Sequence, residues 1–126
     1  MKLDISKIKQ ARLKESQFFA ELSLKTQIYL HHTAGGGNAE AVSRYWNGNT
    51  ERIATAFIIG ADGLIVQCFS SKHWAWHLGV GQKEFKAQGV PYTNLNKTSV
   101  GIEVCNWGYL KEKKRTFLQL RQCSCT

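Results

Sequence analysis

The stretch Gln27-Ile28-Tyr29-Leu30-His31-His32-Thr33-Ala34-Gly35-Gly36-Gly37 decides how this chain can fold. Its first residues alternate in the period-two pattern that is typical of a β-strand. The glycines that follow predict a flexible loop at the end of that strand. We therefore expect a strand that carries a histidine pair to the rim of a sheet.

The two histidines are expected to point to opposite faces, because successive side chains of a strand alternate. His32 shares a face with Ile28 and Leu30, which we expect to be the packed side. His31 shares the other face with Tyr29 and is the better candidate for a metal ligand. Taken alone, two ordinary polar residues at a strand end would give the same pattern.

The length and composition of the chain suit one globular domain. Its 126 residues include 43% hydrophobic and 21% charged residues, enough to bury a single core. No apolar run approaches the length of a membrane span, so no membrane partner is expected. The charged N-terminus lacks the apolar core of a signal peptide. We expect a cytoplasmic monomer that acts outside the cytoplasm only after release.

The net charge of +8 raises the question of nucleic-acid binding. Residues 27–110 carry six Lys or Arg and five Asp or Glu, so the excess charge lies in the two flanks. A basic groove across a folded face would need that charge in the middle of the chain. No nucleic-acid partner is therefore expected.

The four cysteines do not form a C-x-x-C motif. Without a signal peptide, a disulfide framework is not expected. Cys68 and Cys105 lie in strand-like runs and are expected to be small buried side chains. Cys123 and Cys125 form a C-x-C pair near the terminus, which is weak support for metal binding.

Several other elements can be predicted from local patterns. Asn38 is a good N-cap for an amphipathic helix at about 38–47, with Gly48 as its C-cap. Asp62-Gly63 predicts a hairpin turn between strands at 54–59 and 64–69.

The remaining segments have a less regular hydrophobic pattern, apart from one strand. Residues 3–26 suggest a short helix or an arm over one edge of the core. Residues 80–98 read as a polar loop, and residues 98–105 as a third clear strand.

The segment Lys72-His73-Trp74-Ala75-Trp76-His77-Leu78-Gly79 has two interpretations. Two tryptophans and two histidines near a glycine can form the wall of a cleft. Alternatively, the tryptophans belong to the core and the histidines are exposed.

Glu103 lies on the third strand between Gly101 and Cys105, on the face opposite the apolar side chains. The small neighbours leave room around its carboxylate. An ordinary surface glutamate on a strand would look the same until a partner is identified.

Four motifs occur in a fixed order along the chain. They are Tyr29-Leu30-His31-His32-Thr33-Ala34-Gly35, Ile58-Ile59-Gly60-Ala61-Asp62-Gly63, Trp76-His77-Leu78-Gly79 and Asn96-Lys97-Thr98-Ser99-Val100-Gly101-Ile102-Glu103. In this order they resemble the zinc-dependent N-acetylmuramoyl-L-alanine amidases, a family that includes phage endolysins, anhydro-muramyl amidases and peptidoglycan recognition proteins. The resemblance covers roughly residues 25–110.

The resemblance implies an α/β (α+β) fold, with a central mixed β-sheet flanked by helices and Zn2+ in a surface groove. It implies that His31 is a zinc ligand and that Glu103 is catalytic. His77 would line the substrate path rather than bind zinc, and Trp74, Trp76 and Tyr45 are further candidates for substrate contacts.

The implied reaction is hydrolysis of the amide bond between N-acetylmuramic acid and the L-alanine of the peptidoglycan stem peptide. Zinc would activate a water molecule, and Glu103 would transfer its proton to the leaving amine. Peptidoglycan is the expected partner.

The chain departs from the family pattern after residue 110. The late Gly-His-x-Asp and Asp-Pro-Gly or Cys-Pro-Gly stretches, which supply two zinc ligands in the family, are not found. We expect an N-terminal arm at 1–24, an amidase-like domain at 25–110 that lacks the C-terminal third, and a basic, divergent tail at 111–126. The alternatives to an active enzyme are a non-catalytic peptidoglycan-binding module and a truncated amidase fragment.

Overall fold

The computed structural model of the chain describes residue 2 and residues 4–108. Five strands form one sheet in the order β1-β4-β3-β5-β2. β3 and β4 are antiparallel, and the other neighbouring pairs are parallel. The predicted mixed sheet is therefore confirmed. The strands are β1 (Lys9–Gln10), β2 (Gln27–His32), β3 (Phe57–Ile59), β4 (Ile65–Gln67) and β5 (Ser99–Val104).

The main helix, α1 (Ala39–Gly48), begins where the sequence predicts. The side chain of Asn38 accepts a hydrogen bond of 3.0 Å from the backbone N–H of Ala41, which satisfies one of the free donors at the helix start. The predicted C-cap is wrong by one residue. Gly48 belongs to the helix, and Asn49 caps it.

The segment predicted as a polar loop contains two short helices, α2 (Gln82–Ala87) and α3 (Leu95–Thr98). The carboxylate of Glu84 accepts a hydrogen bond from the backbone N–H of Gly81 at the start of α2. Neither helix has enough turns to show a clear helical period in the sequence, which is why the loop prediction was wrong there.

The hairpin between β3 and β4 turns at the predicted residues. Gly63 has a φ of +86°, a backbone conformation that glycine adopts at low cost. The side chain of Asp62 accepts a hydrogen bond from the backbone N–H of Leu64. Local turn chemistry thus fixes the pairing of these two strands.

The N-terminal arm lies along one edge of the sheet through β1, which pairs with β4. It also contains two 3-10 turns, at Ile5–Lys7 and Glu15–Gln17. Of the predicted arm or short helix, the described residues thus form an edge strand and two short 3-10 turns. The predicted tail at 111–126, with Cys123 and Cys125, lies outside the described residues.

One face of the sheet carries the core. The side chains of Ile58 and Val66 on neighbouring strands are fully buried, and Phe18 and Cys68 are buried beside them. Trp46 of α1 belongs to the same apolar cluster. Cys68 and Cys105 are free and buried, as predicted.

The expected packed side of β2 is wrong. Ile28 and Leu30 are 67% and 70% exposed, whereas Tyr29 and His31 on the other face are half-buried. The reason is that β2 is an edge strand, and α1 packs on the face that carries the core. Alternation shows which side chains share a face, but it does not show which face is covered.

Among the described residues, none of the helices has the length and apolar character that a membrane crossing requires.

The two faces of the sheet should respond differently to the same substitution. Ile58→Ala should lower the free energy of unfolding by about 2–5 kcal/mol, because it leaves a cavity in the core. Ile28→Ala should change it by less than about 0.5 kcal/mol, because that side chain is exposed. Chemical denaturation of both variants and the wild type measures this difference. Equal losses would contradict the assignment of the core to one face.

Candidate active site

The site begins with the pairing of β2 and β5. His31 lies opposite Glu103 in the parallel register of these strands. Paired residues on neighbouring strands point to the same face, and their backbones are about 4.8 Å apart. The structure therefore brings together the two residues that the sequence and the resemblance singled out.

A groove of about 370 Å³ opens beside Glu103, between the end of β2 and helix α1. We call it the α1 groove. Tyr45 lies on its wall and is 73% exposed, so its phenol ring is free to contact a bound molecule. The lining residues are Thr33, Gly36, Asn38, Ala41, Val42, Tyr45, Trp46 and Glu103.

The carboxyl group of Glu103 is partly desolvated. Burial raises its pKa above the usual range for a glutamate, and the nearby His32 opposes that rise. Burial disfavours the charged form, because the surroundings solvate an ion less well than water does. Among the described residues, the carboxyl group has no hydrogen-bond partner that would offset this effect.

His31 is in contact with His77, which comes from a distant part of the chain. The Nε2 atom of His31 and the Nδ1 atom of His77 are 2.9 Å apart, and the two rings meet edge to face. Burial lowers the pKa of both imidazoles, that of His77 to about 4. Both rings are therefore neutral at pH 7, and a hydrogen bond between them needs only one proton.

Two buried side chains hold His77. Ser99 places its Oγ atom 3.0 Å from His77 Nε2. The Oδ1 atom of Asn96 accepts hydrogen bonds of 2.9 Å from the backbone N–H groups of His77 and Leu78. Both Ser99 and Asn96 are 3% exposed. The ring of His77 is thus fixed behind His31, and it is not among the residues that line the α1 groove.

Trp74 and Trp76 lie elsewhere. Trp74 is buried, stacks on Phe19 at 4.0 Å and donates a hydrogen bond to the Glu21 carboxylate. Trp76 is 39% exposed and packs edge-on against the same cluster. The guanidinium group of Arg52 lies 4.5 Å from the centre of the Phe19 ring. Neither tryptophan lines the α1 groove, whereas Tyr45 does.

Sequence reasoning did not single out Ser99 and Asn96 as site residues. A usable signal was present for Ser99, because it lies on the same face of β5 as Gly101 and Glu103 by simple alternation. Asn96 had no comparable signal. Its role depends on the path of a loop 18 residues away, which brings the backbone of Leu78 within reach of its side chain.

The resemblance implies zinc, and His31 is the candidate ligand among the described residues. His31 fits as a ligand, because its imidazole is neutral and its ring is held by His77. No three His, Cys, Asp or Glu side chains converge in residues 4–108 as a complete metal site requires. A full set of protein ligands would need donors from outside this part of the chain.

The desolvated carboxyl group of Glu103 should reduce stability at neutral pH. Its pKa is higher in the folded chain than in the unfolded chain, so folding takes up a proton and stability falls as pH rises through the folded-state pKa. Glu103→Gln should therefore raise the melting temperature at pH 7. The gain should disappear below pH 4, where the carboxyl group is protonated in both states.

Thermal unfolding between pH 3 and pH 8 measures this difference. Glu51→Gln is the matched control, because Glu51 is exposed on a loop and does not line the α1 groove. A Glu103→Gln variant less stable than the wild type at pH 7 would show that the carboxylate has a stabilising partner.

Two comparisons with known sequences bear on the family. The family model described as N-acetylmuramoyl-L-alanine amidase matches residues 24–124. This match extends past residue 110, where the resemblance seen in the sequence ends. Among curated proteins, no relative matches the chain.

Solved structures with the same fold include PlyL, with a TM-score of 0.63 and 19% identity over 79% of this chain and 57% of that one. A mutant endolysin from Bacillus subtilis has a TM-score of 0.60 and 24% identity over 78% of this chain and 60% of that one. A selenomethionine derivative of AmpD has a TM-score of 0.58 and 21% identity over 95% of this chain and 74% of that one. The chain thus spans less than two thirds of the first two structures.

The family match covers most of the chain, and the mixed sheet agrees with the fold of these solved structures. The chain therefore belongs to the N-acetylmuramoyl-L-alanine amidase family.

Proposed function

We propose that the protein is a peptidoglycan hydrolase. It cleaves the amide bond between the lactyl group of N-acetylmuramic acid and the L-alanine of the stem peptide. Zinc is the cofactor, with His31 as one ligand. The protein reaches the cell wall after release from the cytoplasm.

One observation carries this proposal. Glu103 lines the open α1 groove, and His31 is its register partner on the same face of the sheet. An imidazole that can ligate a metal, next to a carboxylate, suits metal-assisted hydrolysis, since bound zinc would supply the electrophile and the carboxylate the base. Family membership supports the same reaction class.

Glu103 is suited to proton transfer in this reaction. Its raised pKa brings the carboxyl group closer to neutral pH, where it can both accept and donate a proton. As a base, it takes a proton from the water whose oxygen attacks the amide carbon. As an acid, it gives that proton to the amide nitrogen when the C–N bond breaks. The products are a free lactyl carboxyl group and the amino group of L-alanine.

His31 and Tyr45 have different roles in the proposal. The neutral ring of His31 offers a nitrogen donor, and bound zinc would supply a Lewis acid that polarises the substrate carbonyl. Tyr45 presents an exposed aromatic ring on the wall that α1 contributes to the groove, where it can pack against a sugar or peptide. Trp74 is buried by Phe19 and Glu21 and is left out of the substrate contacts proposed here.

Replacement of the carboxylate should abolish turnover without unfolding the protein. Glu103→Gln keeps the size of the side chain but removes the base. We therefore expect a loss of about 10²-fold or more in hydrolysis, the usual contribution of a general base. The assay follows the appearance of free alanine amino groups in purified peptidoglycan incubated with zinc. Glu51→Gln should retain wild-type activity. Full activity in Glu103→Gln would refute the role assigned to this residue.

A second function is favoured by one observation. The described residues do not bring three metal ligands together, whereas they do form the α1 groove. A protein with these properties can bind peptidoglycan without cleaving it. Under this alternative, the groove and Tyr45 are used, and Glu103 has no catalytic role.

Sedimentation with insoluble peptidoglycan distinguishes the two functions. Tyr45→Ala should weaken binding several-fold, because it removes the exposed ring from the groove wall. Tyr92→Ala is the control, since Tyr92 is also exposed but packs on Phe85 of α2 and does not line the α1 groove. A wild-type protein that binds with no release of amino groups would support the binding module. Equal binding by Tyr45→Ala and the wild type would exclude the α1 groove as the binding surface.

A further inference from the structure

A continuous chain of hydrogen bonds runs from a backbone carbonyl to His31. The Ser99 hydroxyl donates to the carbonyl oxygen of Leu95 at 2.6 Å. The same Oγ atom lies 3.0 Å from His77 Nε2. The other ring nitrogen of His77, Nδ1, lies 2.9 Å from His31 Nε2.

The direction of each hydrogen bond in this chain follows from the donors available. A serine hydroxyl has one hydrogen, and Ser99 gives it to the Leu95 carbonyl, which can only accept. The Ser99 oxygen must therefore accept from His77 Nε2, so that nitrogen carries the ring proton. A neutral imidazole has one N–H group, which leaves a lone pair on His77 Nδ1.

The same reasoning applies to the next ring. Because His77 Nδ1 is an acceptor, the nitrogen that faces it, His31 Nε2, must carry a proton. The remaining nitrogen of His31, Nδ1, then has the free lone pair. A metal-binding histidine usually has its second nitrogen fixed in this way by an outer partner.

We propose that Ser99 is a positioning residue for His31. Through His77 it selects the tautomer of both rings, so that Nδ1 of His31 is the nitrogen offered to a ligand. The use of that nitrogen for zinc rests on the proposed function, but the tautomers are a property of the metal-free protein. Ser99 touches neither the α1 groove nor any reacting atom.

The packing around His77 leaves little freedom for its ring to turn over. A Cβ atom at Gly101 would lie 3.0 Å from His77 Nδ1 and 2.9 Å from Thr55 Cγ2. The ring thus occupies the space that a side chain at position 101 would need. The Asn96 side chain accepts hydrogen bonds from the N–H groups of the two peptide bonds that flank His77, and so fixes the backbone there. A ring flip would replace the nitrogen that faces Ser99 with a carbon and would break the hydrogen-bond chain.

Nitrogen-15 NMR of the imidazole rings tests the proposal directly. Protein labelled with 15N-histidine and freed of metal with a chelator is examined by long-range 1H–15N correlation at pH 7, which separates protonated from unprotonated ring nitrogens. The signals that disappear in the His32→Gln and His73→Gln variants belong to His32 and His73. The remaining ring signals then belong to His31 and His77. The wild-type spectrum should show protonated Nε2 and unprotonated Nδ1 in both His31 and His77. A protonated Nδ1 in His31 would overturn the proposal without any variant of Ser99.

Substitutions at Ser99 then test the cause. Ser99→Ala removes the acceptor, so both His77 and His31 should shift toward a mixture of tautomers. Ser99→Thr retains a hydroxyl group and should restore the wild-type pattern. Ser43→Ala is the matched control, because Ser43 is also a buried serine whose hydroxyl donates to a backbone carbonyl, in α1. Unchanged tautomers in a folded Ser99→Ala variant would overturn the role of Ser99. None of these outcomes depends on hydrolase activity, so they can be interpreted even if the amidase assay fails.

Discussion

The site depends on the parallel register between β2 and β5. Six consecutive pairs run from Gln27 opposite Ser99 to His32 opposite Val104. This register places His31 beside Glu103, and it places Tyr29 beside Gly101, where the missing side chain leaves room for His77. A slip of one residue would turn one partner of each pair to the opposite face. The backbone pairing of two strands thus specifies which chemical groups meet.

The same register divides the sheet into two unequal faces. On the face of His31 and Glu103, α1 and the buried side chains form the core and the groove. On the other face, Ile28 and Leu30 are exposed. Parallel strands are usually covered on both faces, whereas the described residues leave these two apolar side chains of β2 uncovered.

Much of the local structure could be predicted because its causes are local. The cap at Asn38 and the turn at Asp62-Gly63 involve residues within a few positions of each other. Alternation along β2 and β5 also placed His31 and Glu103 on defined faces. The burial of Trp74 could not be predicted from local patterns, because the ring that stacks on it is Phe19, 55 positions earlier. The partnership of His77 with Ser99 and Asn96 likewise exists only after the loop folds back on β5. The local pattern therefore left a cleft wall and exposed histidines as open alternatives, whereas in the structure His77 is a half-buried support for His31.

The two central residues of the site are held in opposite ways, and this difference fits their proposed roles. His31 is restrained by its strand, by His77 and, through that ring, by Ser99. A metal ligand gains from such restraint, because a fixed ring does not have to be ordered when the metal binds. Glu103 has a desolvated carboxyl group and no hydrogen-bond partner among the described residues. A group that must both accept and release a proton would be hindered by a strong partner, since hydrogen bonds to the carboxylate would lower its pKa. The hydrogen bonds of the site therefore restrain the histidine, whereas the carboxyl group of the glutamate stays able to exchange a proton.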